Sequence, residues 1–138
     1  MRNPTTFAVP GKPSPKKRPR VVRLPNGQSH TFTPDAVGFV PAVQVHALNA
    51  GVEVSDGVVA LSVTVYREMP ASWSAKKRGL MCGLPSTETP DRINVAAAIC
   101  DALEGVAYKN DKQVMLDTVW QFYAEHHSTQ ITVRPLPN

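Results

Sequence analysis

The chain has 138 residues, a formal net charge of +4 and only two cysteines, which fits one domain that buries its core without disulfide staples. No apolar run approaches the roughly 18 residues that a membrane-spanning helix needs, and the first residues lack the apolar stretch of a secretory signal. These features exclude a transmembrane protein and a disulfide scaffold, and they lead us to expect a cytoplasmic protein.

Positive charge is concentrated at the start of the chain. Seven of the fifteen Lys and Arg fall within residues 1–23, and the first acidic residue is Asp35. A strand is predicted over residues 5–9. The proline-rich segment 11–23 cannot be helical and is expected to be extended and exposed. This basic segment is interpreted either as a solvated tail or as an arm that contacts a DNA backbone.

Turn and periodicity signals predict the next elements. Asn26-Gly27 is a strong turn signal and predicts a hairpin between residues 21–24 and 30–33. Apolar residues at steps of three and four then predict a helix that starts after a Thr33 cap and ends near Ala50. A proline within that helix, Pro41, is expected to kink or interrupt it.

A long strand is predicted over residues 57–69, where apolar and polar residues alternate. It is followed by a helix start with Ser72 as its cap. Trp73, beside this cap, is interpreted either as a packing residue or as a surface on which a base could stack. A second basic cluster accompanies it, made of Lys76, Lys77 and Arg78.

The last third of the chain predicts a helix over residues 92–104, closed by Gly105, and strands over 114–123 and 129–133. The order of elements predicts one α+β domain, with a small mixed sheet packed with two main helices. No internal repeat, zinc-type spacing or phosphate-binding glycine loop is present.

Acidic residues bracket the helix predicted over 92–104. Asp91 precedes it, Asp101 lies within it, Asp111 follows it, and Glu88 could turn toward the same place. Carboxylates are ligands for Mg²⁺, which can activate water and stabilise a phosphate. Two alternatives remain open: Asp91 as a helix cap, and Asp101 as a salt-bridging residue on the helix face.

The stretch from Pro90 to Val114 resembles the RusA family of Holliday-junction resolvases. The family pattern is P-D-x-D-N-x-x-K, then D-A-L-x-G, then K-D-D-x-Q-V. The basic segment 11–23 and the S-W-S-x-K-K segment are also similar to family members. The matching residues are Pro90, Asp91, Asn94, Asp101, Ala102, Leu103, Gly105, Lys109, Asp111, Gln113 and Val114.

The resemblance implies a RusA-like fold over residues 1–138 and a homodimer that binds four-way DNA and cuts it with Mg²⁺. It places metal ligands at Asp91 and Asp111 and a further acidic position at Asp101. DNA contacts are expected from the two basic segments and from lysines after the helix. The expected contact residues are Lys12, Lys16, Lys17, Arg18, Arg20, Lys76, Lys77, Arg78, Lys109 and Lys112.

Three positions depart from the family pattern. Ile93 stands where an aspartate belongs, Ala97 where a lysine belongs, and Asn110 where the first of two aspartates belongs. Cleavage is therefore expected to be weak or lost, since metal affinity depends on ligand number and charge. The alternative from another class is a basic module without branched-DNA preference, for example an inhibitor of a host nucleic-acid-handling system.

Overall fold

The computed structural model describes residues 3–13, 38–88 and 92–137, and the backbone of residues 20–23 and 29–32. Strands and helices are interspersed along the described residues, and a 3₁₀ turn precedes the fifth strand. The elements are β1 (Thr5–Pro10), β2 (Arg20–Arg23), β3 (Ser29–Phe32), α1 (Phe39–Asn49), β4 (Val59–Glu68), α2 (Ala75–Met81), α3 (Arg92–Leu103), the turn Asp111–Gln113, β5 (Val114–Ala124) and β6 (Ser128–Pro135).

Four strands form one mixed sheet in the order β1-β6-β4-β5. β6 pairs antiparallel with both β1 and β4, whereas β5 pairs parallel with β4. A parallel neighbour requires a crossover connection, which α2 and α3 supply. The α+β class with a small mixed sheet, predicted from the sequence, is confirmed.

The sheet is covered by helices on one face. The alternating residues Val59, Leu61, Val63 and Val65 of β4 are all buried, and they pack with the buried apolar residues of α1 and α3. Ser62 and Thr64, which lie between them on the other face of β4, are only half-buried. In the described part of the chain, the helices therefore lie on the inner face of the sheet, and the outer face is left open.

The first helix begins later than predicted. α1 starts at Phe39, with Gly38 rather than Thr33 at its N-cap position. Pro41 is the third helical residue and does not interrupt the helix, because the first-turn N–H groups have no acceptor within a helix anyway. The predicted stop is confirmed: Gly51 has a φ of 90°, and the N–H of Val52 donates to the carbonyl oxygen of Ala47 at 3.1 Å, which closes the helix end.

The cap of α2 also differs from the prediction. Ser74, not Ser72, is the N-cap residue, and its hydroxyl accepts from the N–H of Lys77 at 3.2 Å. Ser74 occupies the position directly before the first helical residue, where a hydroxyl can reach an unpaired N–H. In the described part of the chain, no helix has the length and apolar character needed to cross a membrane.

The remaining predicted strands are confirmed, with shifts of one or two residues. β2 pairs antiparallel with β3, as predicted for the hairpin, while its Asn26-Gly27 turn lies outside the described residues. β6 continues to Pro135, two residues beyond the prediction. Leu61 pairs with Leu116 but Ser62 pairs with Thr118, so β5 carries a bulge of one extra residue in its first half.

Candidate nucleic-acid and metal site

The helix α3 determines where the predicted acidic residues lie. Its first residue, Arg92, lines a cavity of about 320 Å³ with Trp120 and Gln121 of β5. Its other end leads through a short loop into Val114, the first residue of β5. α3 thus runs against the direction of β5, and the residues before and after it lie at opposite ends of that strand.

Asp101 and Asp111 both lie near Cys100 at the far end of α3. Both are exposed. The pKa of the Cys100 thiol is raised, first by burial and then by the negative charges of these two carboxylates. The buried Tyr108, whose hydroxyl donates to the carbonyl oxygen of Cys100, has its pKa raised by burial and by the same charges. The two carboxylates therefore form one acidic surface, and the thiol stays protonated at neutral pH.

The loop that carries Asp111 is held by its neighbours. The Asn110 side chain accepts from the N–H of Lys112 at 2.9 Å, and the Gln113 side chain accepts from the N–H of Asn110 at 3.0 Å. The Asn110 side chain also accepts from the N–H of Gln113, and this contact and the Gln113-to-Asn110 contact together form a capping box around the 3₁₀ turn. Asn110 keeps the capping oxygen that an aspartate would offer there, but it lacks the charge.

Glu88 lies at the other end of α3. The side-chain nitrogen of Gln121 donates to the backbone carbonyl of Glu88 at 2.8 Å. The Glu88 carboxylate acts on the buried Arg67, whose pKa is lowered by burial and raised in part by that negative charge. Asp91 lies outside the described residues, three positions beyond Glu88 and directly before Arg92.

Glu88 and Asp111 are not brought together within one chain. Glu88 contacts Gln121, whereas Asp111 precedes Val114, and the strand between these two positions spans about 23 Å. Among the described residues, no group of three His, Cys, Asp or Glu could hold a metal ion. The described part of one chain therefore does not fit a divalent cation, although it holds two acidic sites, one at each end of α3.

Two of the three residues that depart from the family pattern, Ile93 and Ala97, lie on an exposed stripe of α3. Ile93 is 64% exposed, and Ala97 and Asp101 follow at steps of four on the same exposed side. Ile93 contributes nothing to the core. A carboxylate at position 93 and an ammonium at position 97 would therefore both lie in solvent, along the line that leads to Asp101 and Asp111.

The cations predicted to contact DNA differ in whether other residues of the chain already engage their charge. The Lys77 nitrogen lies 4.4 Å from the centre of the Trp73 ring, which itself packs against Tyr123 at 5.1 Å. Arg78 is half-buried and donates to the carbonyl of Pro70 at 2.9 Å, so its guanidinium supports the start of α2. The Trp73 position is thus a packing position.

Four more of the predicted DNA contacts are described. Lys12, Lys76 and Lys112 are exposed, and Lys109 is exposed but pairs with Asp56 at 2.8 Å. Lys16, Lys17 and Arg18 lie outside the described residues, and the side chain of Arg20 is not described.

Sequence reasoning missed two buried polar residues near the start of α3. Arg67 is 6% exposed and Gln121 is 2% exposed. Gln121 also donates to Ser86, so it fixes the loop that leads toward Asp91. The sequence carries a signal for both residues, because each is a polar residue at an inward position of a strand whose other inward positions are mostly apolar.

Two comparisons with known proteins bear on this site. A family model described as Endodeoxyribonuclease RusA matches residues 10–134 of the chain. An uncharacterized protein of Bacillus subtilis (strain 168), YqaN, is 31% identical over 137 residues, which covers 93% of this chain and 94% of YqaN. The family match extends over α3, β4 and β5.

Proposed function

Because the chain belongs to the RusA family of endodeoxyribonucleases, we propose that it binds four-way DNA as a homodimer in the cytoplasm and that its metal-dependent cleavage is weak or lost. Family membership supports a function like that of Holliday-junction resolvases. The observation that carries the reduced cleavage is the exposed stripe on α3, where Ile93 and Ala97 replace a carboxylate and an ammonium.

An isoleucine at position 93 has no lone pair to offer a cation, and an alanine at position 97 cannot reach a phosphate. Ile93 is exposed, so packing does not explain its presence. Hard-cation sites lose affinity as the number and charge of their oxygen ligands fall. In an assembly of two chains, the residues that would hold Mg²⁺ are Asp91, Asp111 and Glu88, and a bound ion would polarise the phosphate.

A second copy of the chain would bring the two acidic sites together. β5 is an edge strand, and the loop after α2 covers only its end, through Gly83 and Ser86, which donate to Tyr123 and Gln121. In the described part of the chain, no strand pairs with the free side of its first half. That half exposes Met115 and Leu116, at 55% and 52%, and an exposed apolar edge is a site of strand pairing.

Antiparallel pairing of the free first halves of two β5 strands about Asp117 would place Trp120 of one copy beside the partner's Val114. Glu88 would then lie near the partner subunit's Asp111. A homodimer of this kind explains why the carboxylates of one chain lie so far apart. The variant Met115→Lys with Leu116→Lys is expected to remain monomeric at concentrations at which the unmodified protein is dimeric. Analytical ultracentrifugation measures this, and an unchanged dimer would rule out this edge.

The function is tested with a labelled four-way junction incubated with and without Mg²⁺ or Mn²⁺ and separated on native and denaturing gels. A shifted junction without cuts is the expected result. Symmetric metal-dependent cuts would contradict the weakened site. Equal affinity for the junction and for duplex DNA at matched salt would contradict branched-DNA recognition and favour a basic interaction module.

A further inference from the structure

Three aromatic side chains form a row on the outer face of the sheet. Tyr66 on β4 pairs in register with Phe122 on β5, and their ring centres lie 6.4 Å apart. Phe122 stacks on Trp120 at 5.5 Å, with an angle of 12° between the rings. The three rings thus continue one another across two strands, and we refer to them as the aromatic row.

The aromatic row is open to solvent. Trp120 is 51% exposed, and Phe122 and Tyr66 are half-buried. The helices lie on the other face of the sheet, and edge pairing of β5 would extend the sheet without covering this face. A large exposed aromatic surface on a folded chain usually marks a binding site.

The surroundings of the row favour a polar, anionic ligand over an apolar protein surface. Thr64 and Gln130 lie beside it in register on the same face, and they offer hydroxyl and amide groups. Arg92 lines the cavity at the Trp120 end of the row, where a cation can meet a phosphate. Aromatic rings that are flanked by hydrogen-bonding groups and a cation are suited to nucleobases, which stack on such rings with little dependence on sequence.

We propose that the aromatic row binds unpaired nucleobases of DNA. The proposal rests on the proposed DNA binding and adds its substrate feature: exposed bases at a branch point or in a single strand. Trp120 provides the outermost stacking surface, Phe122 fixes the orientation of that ring, and Arg92 contacts the adjoining phosphate. Ring stacking and a phosphate contact from a guanidinium involve no metal, so this binding requires none.

Tryptophan fluorescence tests this directly. The chain has two tryptophans, and Trp73→Phe leaves Trp120 as the sole emitter. Titration with a short oligothymidylate at low salt is expected to quench this emission. In the background that retains Trp73, Trp120→Ala is expected to weaken binding of a labelled oligothymidylate by about tenfold, since stacking contributes roughly 1–3 kcal/mol per base. Trp120→Phe keeps an aromatic ring at this position and is expected to retain most of the affinity.

A matched control is Leu48→Ala on α1. Leu48 is 59% exposed, similar to Trp120, but it lies on the helical side of the sheet, so affinity for the oligonucleotide is expected to stay unchanged. Equal losses in Trp120→Ala and Leu48→Ala would overturn the proposal, as would absence of quenching. Circular dichroism and urea unfolding of Trp120→Ala establish that it is folded.

Failure of the aromatic row proposal can be distinguished from failure of the proposed function. A protein that shifts the four-way junction but shows neither quenching nor a loss in Trp120→Ala binds DNA by phosphate contacts alone, and only the aromatic row proposal fails. A protein that shifts no junction contradicts the proposed function itself.

Discussion

The side-chain nitrogen of Gln113 lies 2.8 Å from the carbonyl oxygen of Ser55, 58 positions away in the sequence. The same nitrogen donates to the carbonyl of Gly57 at 2.7 Å. Gln113 is one of the residues that match the family pattern, and its contacts join the Asp111 loop to the segment before β4. Its role in this chain is therefore to hold the loop in place.

Replacing this side chain is expected to loosen the Asp111 loop. Gln113→Ala removes its hydrogen bonds to four backbone groups, and we expect the free energy of unfolding to fall by about 2 kcal/mol. Urea denaturation monitored by circular dichroism measures the change. Gln130→Ala is the control, since Gln130 is exposed on β6 and is expected to change stability by less than about 0.5 kcal/mol. Equal effects in the two variants would contradict the role assigned to Gln113.

Restoring the family residues on α3 is expected to restore cleavage. Ile93→Asp with Ala97→Lys adds a carboxylate and an ammonium at exposed positions, where neither is desolvated. We expect the rate of metal-dependent cutting of a four-way junction to increase by at least about tenfold, because charges positioned in an active site have catalytic effects of that size or larger. Denaturing gels measure the rate.

The neutral variant Ile93→Asn with Ala97→Gln is the matched control for that experiment. It supplies polar side chains without charge and should give no increase in the rate of junction cutting. If the charged variant folds and cuts no better than the neutral one, loss of these two groups does not explain weak cleavage.

The lysines after α3 are expected to act on DNA through their charge. Lys112 is exposed and carries no ion pair among the described residues, so Lys112→Ala is expected to reduce the slope of log affinity against log salt by about 0.9. Fluorescence anisotropy with a labelled junction at several salt concentrations measures this slope. Lys112→Arg keeps the charge and should keep the slope. An unchanged slope in Lys112→Ala would place Lys112 away from the DNA.

Stability is expected to fall in mild acid because of His127. Its Nδ1 accepts from the N–H of Glu68 at 3.1 Å, which requires an unprotonated nitrogen. Burial lowers the pKa of His127, and Arg67 and Lys12 lower it further against the opposing charge of Glu68. The unfolded chain therefore binds this proton more readily, so the contribution to stability is present above about pH 6.5 and is lost as the pH falls below it.

The measurement is urea unfolding at pH 7.5 and pH 5.0. His127→Asn keeps an acceptor at the same distance from the backbone but does not titrate, so its loss of stability between the two pH values is expected to be smaller than that of the unmodified protein. An identical loss would assign the acid sensitivity to other groups.

The elements could be predicted from the sequence where local pattern and packing agree. The alternation along β4 and the spacing of apolar residues on α3 reflect the faces that are buried, so both elements were found with nearly correct ends. The start of α1 was wrong because Thr33 and Gly38 both suit a cap position, and local preference could not choose between them. Pro41 was misjudged for the same reason, since its effect depends on where the helix begins.

The acidic site was less predictable. The sequence places Glu88 and Asp111 on either side of α3, and this helix of 12 residues separates its ends by about 18 Å. Only the parallel pairing of β4 and β5, a long-range feature, determines that Glu88 and Asp111 lie at opposite ends of one strand. The aromatic row escaped prediction too, because the bulge in β5 and the register with Tyr66 are set by strand pairing.

The position of β6 has a consequence for synthesis on the ribosome. β6 follows β1 and β4 in the sequence, yet it lies between them in the sheet. β1 therefore cannot be joined to β4 until residues 128–135 have emerged. β4 and β5 pair directly and carry all three rings, so the aromatic row can assemble before β1 joins the sheet.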